Sequence, residues 1–162
     1  LCVKTGVFPH QLKLARVLPL FKSGDPEVTL NYRPVSILNT LSKIFERLIQ
    51  SQLLKFLSDN KIITKHQYGF LAKVSTKTAL MDFYDELLRQ LDKKGNFCLG
   101  LFIDLAKAFD TVSHVILIKK LKAFGIGGRA SDLITTYLTG REQFVQIDGI
   151  GSDLLPVTCG VP

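Results

Sequence analysis

The feature that most constrains the fold is an apolar run that ends in an acid. Residues 97–103 read FCLGLFI, and Asp104 follows directly. A nearly continuous apolar run predicts a strand, here over 97–105, that is buried on both faces and therefore central in its sheet. A carboxylate at the end of such a strand lies at the rim of the sheet, where α/β proteins bind ligands. We therefore expect a cation or several hydrogen-bond donors beside Asp104, or a purely structural cap or lysine pair.

Helical and extended patterns alternate along the rest of the chain, in an α/β order. Extended segments are predicted at 15–22, which contains a proline, and at 31–38, and a hairpin is predicted over 142–160. Apolar spacing predicts helices over about 39–59, from an N-cap at Ser75 or Thr76 to Gly95, over 115–124 before Gly125, and from Ser131 to Leu138.

Composition indicates an ordinary globular domain. The chain has 162 residues, of which 46% are hydrophobic and 22% charged, and its three cysteines are widely spaced without a CxxC pair. We expect no zinc site, no disulfide framework, no membrane span and an intracellular, reducing compartment. Because the chain starts at Leu1 rather than methionine and stops after the turn-like CGVP, we expect it to be an excerpt from a longer protein.

The charge is unevenly distributed. Residues 1–95 carry 15 Lys and Arg against 8 Asp and Glu, whereas residues 96–162 carry 6 of each, so the whole excess of +7 lies in the first part. Phosphates are bound by Lys and Arg, and metal ions by carboxylates. A basic lobe followed by a neutral part with an acid therefore suggests a protein that handles nucleic acid, although a solvated basic surface without a ligand gives the same pattern.

Five motifs, taken in order and spacing, resemble the reverse transcriptase (RNA-directed DNA polymerase) of non-LTR, LINE-type retrotransposons. They are NYRPVSILNTLSKIFERLI, QYGF followed by STKTAL, GLFIDLAKAFDTVSH, YLTGREQFVQIDG and the final GVP. The resemblance implies an α+β fold of the right-hand polymerase type, truncated before the second metal-binding motif. Residues 1–95 would then be a fingers-like basic lobe, and residues 96–162 the N-terminal half of the palm.

The resemblance also implies roles for the residues around Asp104. Asp104 matches the first metal-binding, catalytic aspartate, and the backbone carbonyl of Leu105 is expected to join it at one of two Mg²⁺ ions. Phe109 matches a bulky residue that excludes a 2′-hydroxyl, as a steric gate does. Lys107 and Ala108 are expected to offer backbone N–H groups to the triphosphate.

Two basic residues of the first part match nucleotide-binding positions. Lys22 and Arg33 resemble residues that contact the triphosphate or the template backbone, although a solvated lysine and an arginine held by a carboxylate are the alternatives. Tyr68 and Phe70 of QYGF are expected to pack in the core rather than near the template, and Gln67 to hydrogen-bond in either setting.

Asp110 and His114 are expected to be structural. Asp110 precedes a predicted helix, where an aspartate caps the helix or holds a turn, and we favour this over metal binding. A hydrolase that uses His114, Asp110 and Ser113 has only sequence proximity behind it, since no GxSxG nucleophile turn is present.

Two departures from the family pattern limit the expected activity. Where the family supplies basic residues after QYGF, this chain reads Leu71, Ala72, Lys73 and Val74, and it has no adjacent Asp-Asp pair. We expect the parent protein to use an RNA template, a DNA primer and deoxynucleoside triphosphates in the nucleus, and this chain, without the C-terminal part of the polymerase, to be inactive alone. The alternative is a degenerate or domesticated fragment that binds nucleic acid without catalysis.

Overall fold

The computed structural model describes residues 2–161, so Pro162 of the GVP motif lies outside the described residues. The helices are α1 (Cys2–Thr5), α2 (Thr40–Asp59), α3 (Thr76–Leu91), α4 (His114–Ala123) and α5 (Gly128–Leu138), with short 3-10 turns at His10–Leu12 and Thr29–Asn31. The strands are β1 (Leu14–Phe21), β2 (Tyr32–Ile37), β3 (Arg141–Ile147), β4 (Ile150–Gly151) and β5 (Leu155–Val157). None of the helices within 2–161 has both the length and the hydrophobicity that crossing a bilayer requires.

The five strands form one mixed sheet in the order β2-β1-β3-β4, with β5 also pairing with β3. β1 runs antiparallel to β2 and parallel to β3, and β3 is antiparallel to both β4 and β5. Pro19 of β1 lies opposite Pro34 of β2, so neither donates a backbone N–H at that pair. The fold is therefore α+β, as the sequence predicts.

Most predicted elements are present with shifted ends. Ser75 caps α3, where its Oγ accepts from Thr78 N at 3.3 Å. That helix ends at Leu91 rather than Gly95, and α5 begins at Gly128 rather than Ser131. Gly128, with φ +55°, is the first residue of α5, whereas Gly95, with φ +83°, lies in the turn that follows α3 and its C-cap Asp92. Glycine adopts such angles without a steric cost, so these ends depend on local turns that helical periodicity does not report.

The predicted central strand over 97–105 is wrong. The segment has no regular secondary structure, and its apolar side chains are exposed, reaching 91% at Phe97 and 93% at Leu99. Phe102 contacts Phe83 of α3, with ring centroids 5.7 Å apart. A run of this kind is a buried strand only if neighbours pair with its backbone on both sides, and no strand within 2–161 does so. Apolar content alone does not supply that partner.

The chain divides into two compact units. One comprises Leu1–Ser51 and Ala106–Pro162, and the other comprises Gln52–Leu105. The core of the first unit is formed by Phe8, Leu12 and Leu133, with Phe45 and Tyr137 packed edge-on against Phe8 at centroid distances of 6.0 and 5.0 Å. These units do not follow the fingers and palm boundary at residue 95, which stays a prediction.

Candidate functional site

The turn between residues 106 and 112 is organised around the carbonyl of Lys107. That oxygen accepts from Asp110 N at 3.0 Å, from Thr111 N at 3.2 Å and from Thr111 Oγ1 at 3.1 Å. Lys107 itself has φ +52°, a left-handed conformation that few residues other than glycine adopt. Three donors on one carbonyl thus hold the backbone in this uncommon conformation.

The backbone N–H groups of Lys107 and Ala108 have no acceptor in the described part of the chain. No hydrogen bond among residues 2–161 has either group as donor, and both residues are exposed. Lys107 adopts its left-handed conformation within a turn, and successive backbone N–H groups of such turns form anion-binding concavities. Both groups are therefore able to donate to a ligand in solvent.

A second segment, residues 158–161, fixes the position of this turn. Val161 N donates to Phe109 O at 3.0 Å, and Gly160 N donates to Val112 O at 2.8 Å. His114 is buried, with 8% of its surface exposed, and its Nε2 lies 2.6 Å from Gly160 O. Because a carbonyl oxygen only accepts, this Nε2 carries a proton and donates.

Gly160 is required by this contact. Its φ is +84°, and a Cβ at this position would lie 2.9 Å from the backbone oxygen of Asp110. Sequence reasoning quoted this glycine in the GVP motif but assigned it no role. A glycine between a hairpin strand and a proline is itself a signal for a special backbone position.

A cavity of about 450 Å³ adjoins the turn. It is lined by Lys107 and Asp110, by Cys159, and by one face of the sheet that includes Pro34 and Arg141. Lys22 and Arg33 are not among its lining residues. Since strand side chains alternate, Arg33 lies on the opposite face of β2 from its neighbour Pro34.

Arg141 is the charged residue that sequence reasoning missed. It is 3% exposed, donates from Nη1 to Tyr137 O at 3.2 Å, and stacks over the Tyr137 ring at 5.0 Å. Its Nη2 is buried and has no hydrogen-bond partner among the described residues. Tyr137 OH donates to Glu46 Oε1 at 2.8 Å, so the group connects β3, α5 and α2.

The pKa values of this group follow its burial. Burial raises the pKa of Tyr137 first, and the negative charge of Glu46 and the hydrogen bond to it raise it further. Burial lowers the pKa of Arg141, although the charges of Tyr137 and Glu46 oppose this. The neutral phenol is therefore the form that the folded protein favours.

The family model described as "Reverse transcriptase (RNA-dependent DNA polymerase)" matches residues 22–162. The chain belongs to this family. Its curated relatives include the probable RNA-directed DNA polymerases from transposons X-element and BS of Drosophila melanogaster, each 35% identical over 161 residues, which is 99% of this chain. The RNA-directed DNA polymerase from mobile element jockey of the same organism is 34% identical over 158 residues, or 97% of the chain. The chain spans only 17–18% of the length of these relatives.

The two metal ligands that the reverse transcriptase resemblance implies, Asp104 and the Leu105 carbonyl, lie in an exposed segment without regular secondary structure. Asp104 is exposed, and among the described residues its carboxylate makes no hydrogen bond or ion pair. No group of three or more His, Cys, Asp or Glu side chains in the described part of the chain is arranged to hold a metal ion. Mg²⁺ is commonly bound by one or two carboxylates, with water and substrate phosphates as its other ligands, so Asp104 and the carbonyl of Leu105 would supply only part of its coordination.

The remaining predicted residues fall outside this cluster or differ in detail. The N-cap of α4 is Ser113, whose Oγ accepts from Ile116 N at 3.4 Å, so Asp110 does not cap that helix. The alternative prediction, that Asp110 holds a turn, stays open. Lys22 is exposed and its backbone N–H donates to Asn31 O at 2.8 Å.

The QYGF motif is not a core element. Phe70 is 82% exposed with φ +62°, so the prediction that it packs in the core is wrong. Tyr68 is half-buried, and its OH donates to Asp82 Oδ2 at 2.5 Å. Gln67 Nε2 donates to Gly69 O at 2.9 Å, which stabilises the turn. The motif forms a turn at the surface, and the Phe70 ring is therefore exposed.

Proposed function

We propose that the chain is part of an RNA-directed DNA polymerase that copies retrotransposon RNA into DNA, with residues 1–95 as fingers and 96–162 as the first half of the palm. The observation that carries the proposal is the turn at Lys107 and Ala108. The backbone N–H groups of these two adjacent exposed residues have no acceptor among residues 2–161, which suits a site for a triphosphate. Family membership supports the choice of substrate class.

The nucleotide would be bound from several directions. Backbone N–H groups donate to phosphate oxygens with a charge-assisted hydrogen bond, and the Lys107 ammonium group adds a positive charge beside them. Phe109, which is 56% exposed, would exclude a 2′-hydroxyl. The exposed Lys22 and Arg33 would contact the triphosphate or the template backbone. The bonds from Gly160 and Val161 keep this turn in place.

Magnesium ions would stabilise charge on the reacting phosphate in the complete enzyme. We assign Asp104 and the Leu105 carbonyl as this chain's contribution to their ligands. Because the described residues do not form a site by themselves, the chain alone is proposed to be inactive, and the second motif must come from elsewhere in the parent protein. Its nucleic-acid substrates make the nucleus the proposed compartment.

Substitution of the two aspartates tests this assignment. In a full-length polymerase that contains this chain, Asp104→Asn should lower primer extension on an RNA template by orders of magnitude without changing the melting temperature, because the exposed side chain supports no internal contact. Asp110→Asn is the matched control and should extend primers at near parental rate. Near-parental extension by Asp104→Asn would show that the metal-ligand assignment is wrong.

A further inference from the structure

Helix α4 presents an exposed face with three lysines and no acid. Its sequence is HVILIKKLKA, and Lys119, Lys120 and Lys122 are all exposed. The half-buried side chains Leu117, Ile118 and Leu121 form the other side. The helix therefore packs through an apolar face and leaves its cations in solvent.

No acid within the described residues neutralises these lysines. The ion pairs within 2–161 join Lys55 to Asp59 and Arg89 to Glu86, and neither involves α4. None of the three ammonium groups has a hydrogen-bond partner among the described residues either. Like charges placed this closely on a helix repel one another. Binding of a polyanion relieves that repulsion, which makes binding more favourable.

The helix is also held in one position. Ser113 caps its first turn, the His114 ring is bound to Gly160 O, and Gly125 with φ +90° ends it. Lys119 and Lys122 are three residues apart, or about 4.5 Å along the helix axis. Each strand of a duplex carries one phosphate per about 3.4 Å of helix axis, a rise similar to this lysine spacing, so flexible lysines on the helix reach neighbouring phosphates.

We infer that the α4 face is a second nucleic-acid contact, separate from the turn at Lys107, that binds the phosphodiester backbone without reading sequence. The choice of nucleic acid over another polyanion rests on the proposed function. A purely structural role is the competing explanation, since Lys120 and Lys122 lie in the last turn and interact favourably with the helix dipole. That role predicts an effect on stability and none on binding.

The test compares two variants that lose the same charge. The first replaces Lys119, Lys120 and Lys122 with Gln, which has a similar helix propensity. The control replaces Lys43, Lys77 and Lys94, three exposed lysines dispersed along the chain. Binding of the chain, at nanomolar concentration, to labelled single-stranded RNA and to duplex DNA is measured by fluorescence anisotropy between 50 and 200 mM salt, beside thermal melts. These concentrations are about the range over which phosphate contacts change affinity most.

We expect the α4 variant to bind at least tenfold more weakly, and the slope of log K against log salt to fall by about 2 on single strands, from three lost contacts. The control should change much less, and Arg at all three α4 positions should restore binding. Equal losses in both variants, unchanged binding by the α4 variant, or binding of the parental chain to phosphatidylserine vesicles but not to RNA or DNA would overturn the inference. Since primer extension by Asp104→Asn tests the proposed function separately, either can fail without the other.

Discussion

At the scale of single residues, Gly160 shows how one atom determines a contact. It adopts φ +84° while its own Cα lies close enough to Asp110 that a Cβ would meet backbone atoms at 2.9–3.2 Å. Gly149 has nearly the same angle, φ +83°, yet nothing lies within 4 Å of its Cβ position. A side chain at Gly149 would meet only the conformational penalty of a positive φ, whereas one at Gly160 would also meet a steric clash.

Alanine at the two positions measures this difference. Gly149→Ala should cost about 1 to 2 kcal/mol, the usual penalty of a left-handed alanine. Gly160→Ala should cost more, because the clashing atoms belong to backbone and the bonds to Val112 and His114 must shift as well. Chemical denaturation of both variants gives the two free energies of unfolding. Equal losses would mean that the close approach at Gly160 is relieved without cost.

Tyr137 makes stability depend on alkaline pH. Its pKa is raised above the ordinary value of about 10, so the neutral phenol stabilises the folded state fully below pH 10. As pH rises above 10 the unfolded chain loses its phenolic proton first, and that stabilisation is lost progressively as pH approaches the folded pKa.

We therefore expect Tyr137→Phe to flatten the fall in stability above pH 10. The variant is less stable at neutral pH, since the hydrogen bond to Glu46 is lost, by about 0.5 to 1.5 kcal/mol. Melts between pH 8 and 11.5 compare it with the parent and with Tyr84→Phe, an exposed tyrosine. The assignment fails if the Tyr137 variant and the parent lose stability with the same slope.

At the scale of elements, the segment over 97–105 is the main departure from expectation. Phe97, Leu99, Leu101, Phe102 and Ile103 are each at least 77% exposed. An extended apolar segment with unpaired backbone is a template for pairing with another chain. We therefore expect the segment that the sequence predicts as a central strand to promote self-association of the isolated chain.

Charge introduced into this segment should suppress self-association. The isolated chain is expected to form oligomers or aggregates at micromolar concentration, and Leu99→Lys with Leu101→Lys should shift it toward monomer without lowering its melting temperature. Leu30→Lys with Ile150→Lys adds the same charge at exposed apolar residues elsewhere. Light scattering and size-exclusion chromatography report the distribution of species. A parental chain that is monomeric at these concentrations would contradict the expectation.

At the scale of the whole molecule, one compact unit is built from segments that lie far apart in sequence. The strand β1 near the start pairs in parallel with β3, which lies more than a hundred residues later, as in the pair Leu14 and Glu142. The compact unit that contains both therefore joins the two ends of the chain, and Gln52–Leu105 forms the other unit. A division at residue 95 reflects the charge along the sequence, whereas compact units reflect which segments pair.

The sequence by itself determined what depends on near neighbours. The helical pattern of α2, the cap at Ser75 and the β3 hairpin follow from residue spacing and local hydrogen bonding, and the motif order around Asp104 identified the family. Only the tertiary structure decided what depends on distant partners. Four features depend on which distant segment packs beside a residue. They are the exposure of 97–105, the need for glycine at 160, the burial of Arg141 and the exposure of Phe70. Local patterns report what a residue prefers, and burial is conferred by neighbours that lie far away in sequence.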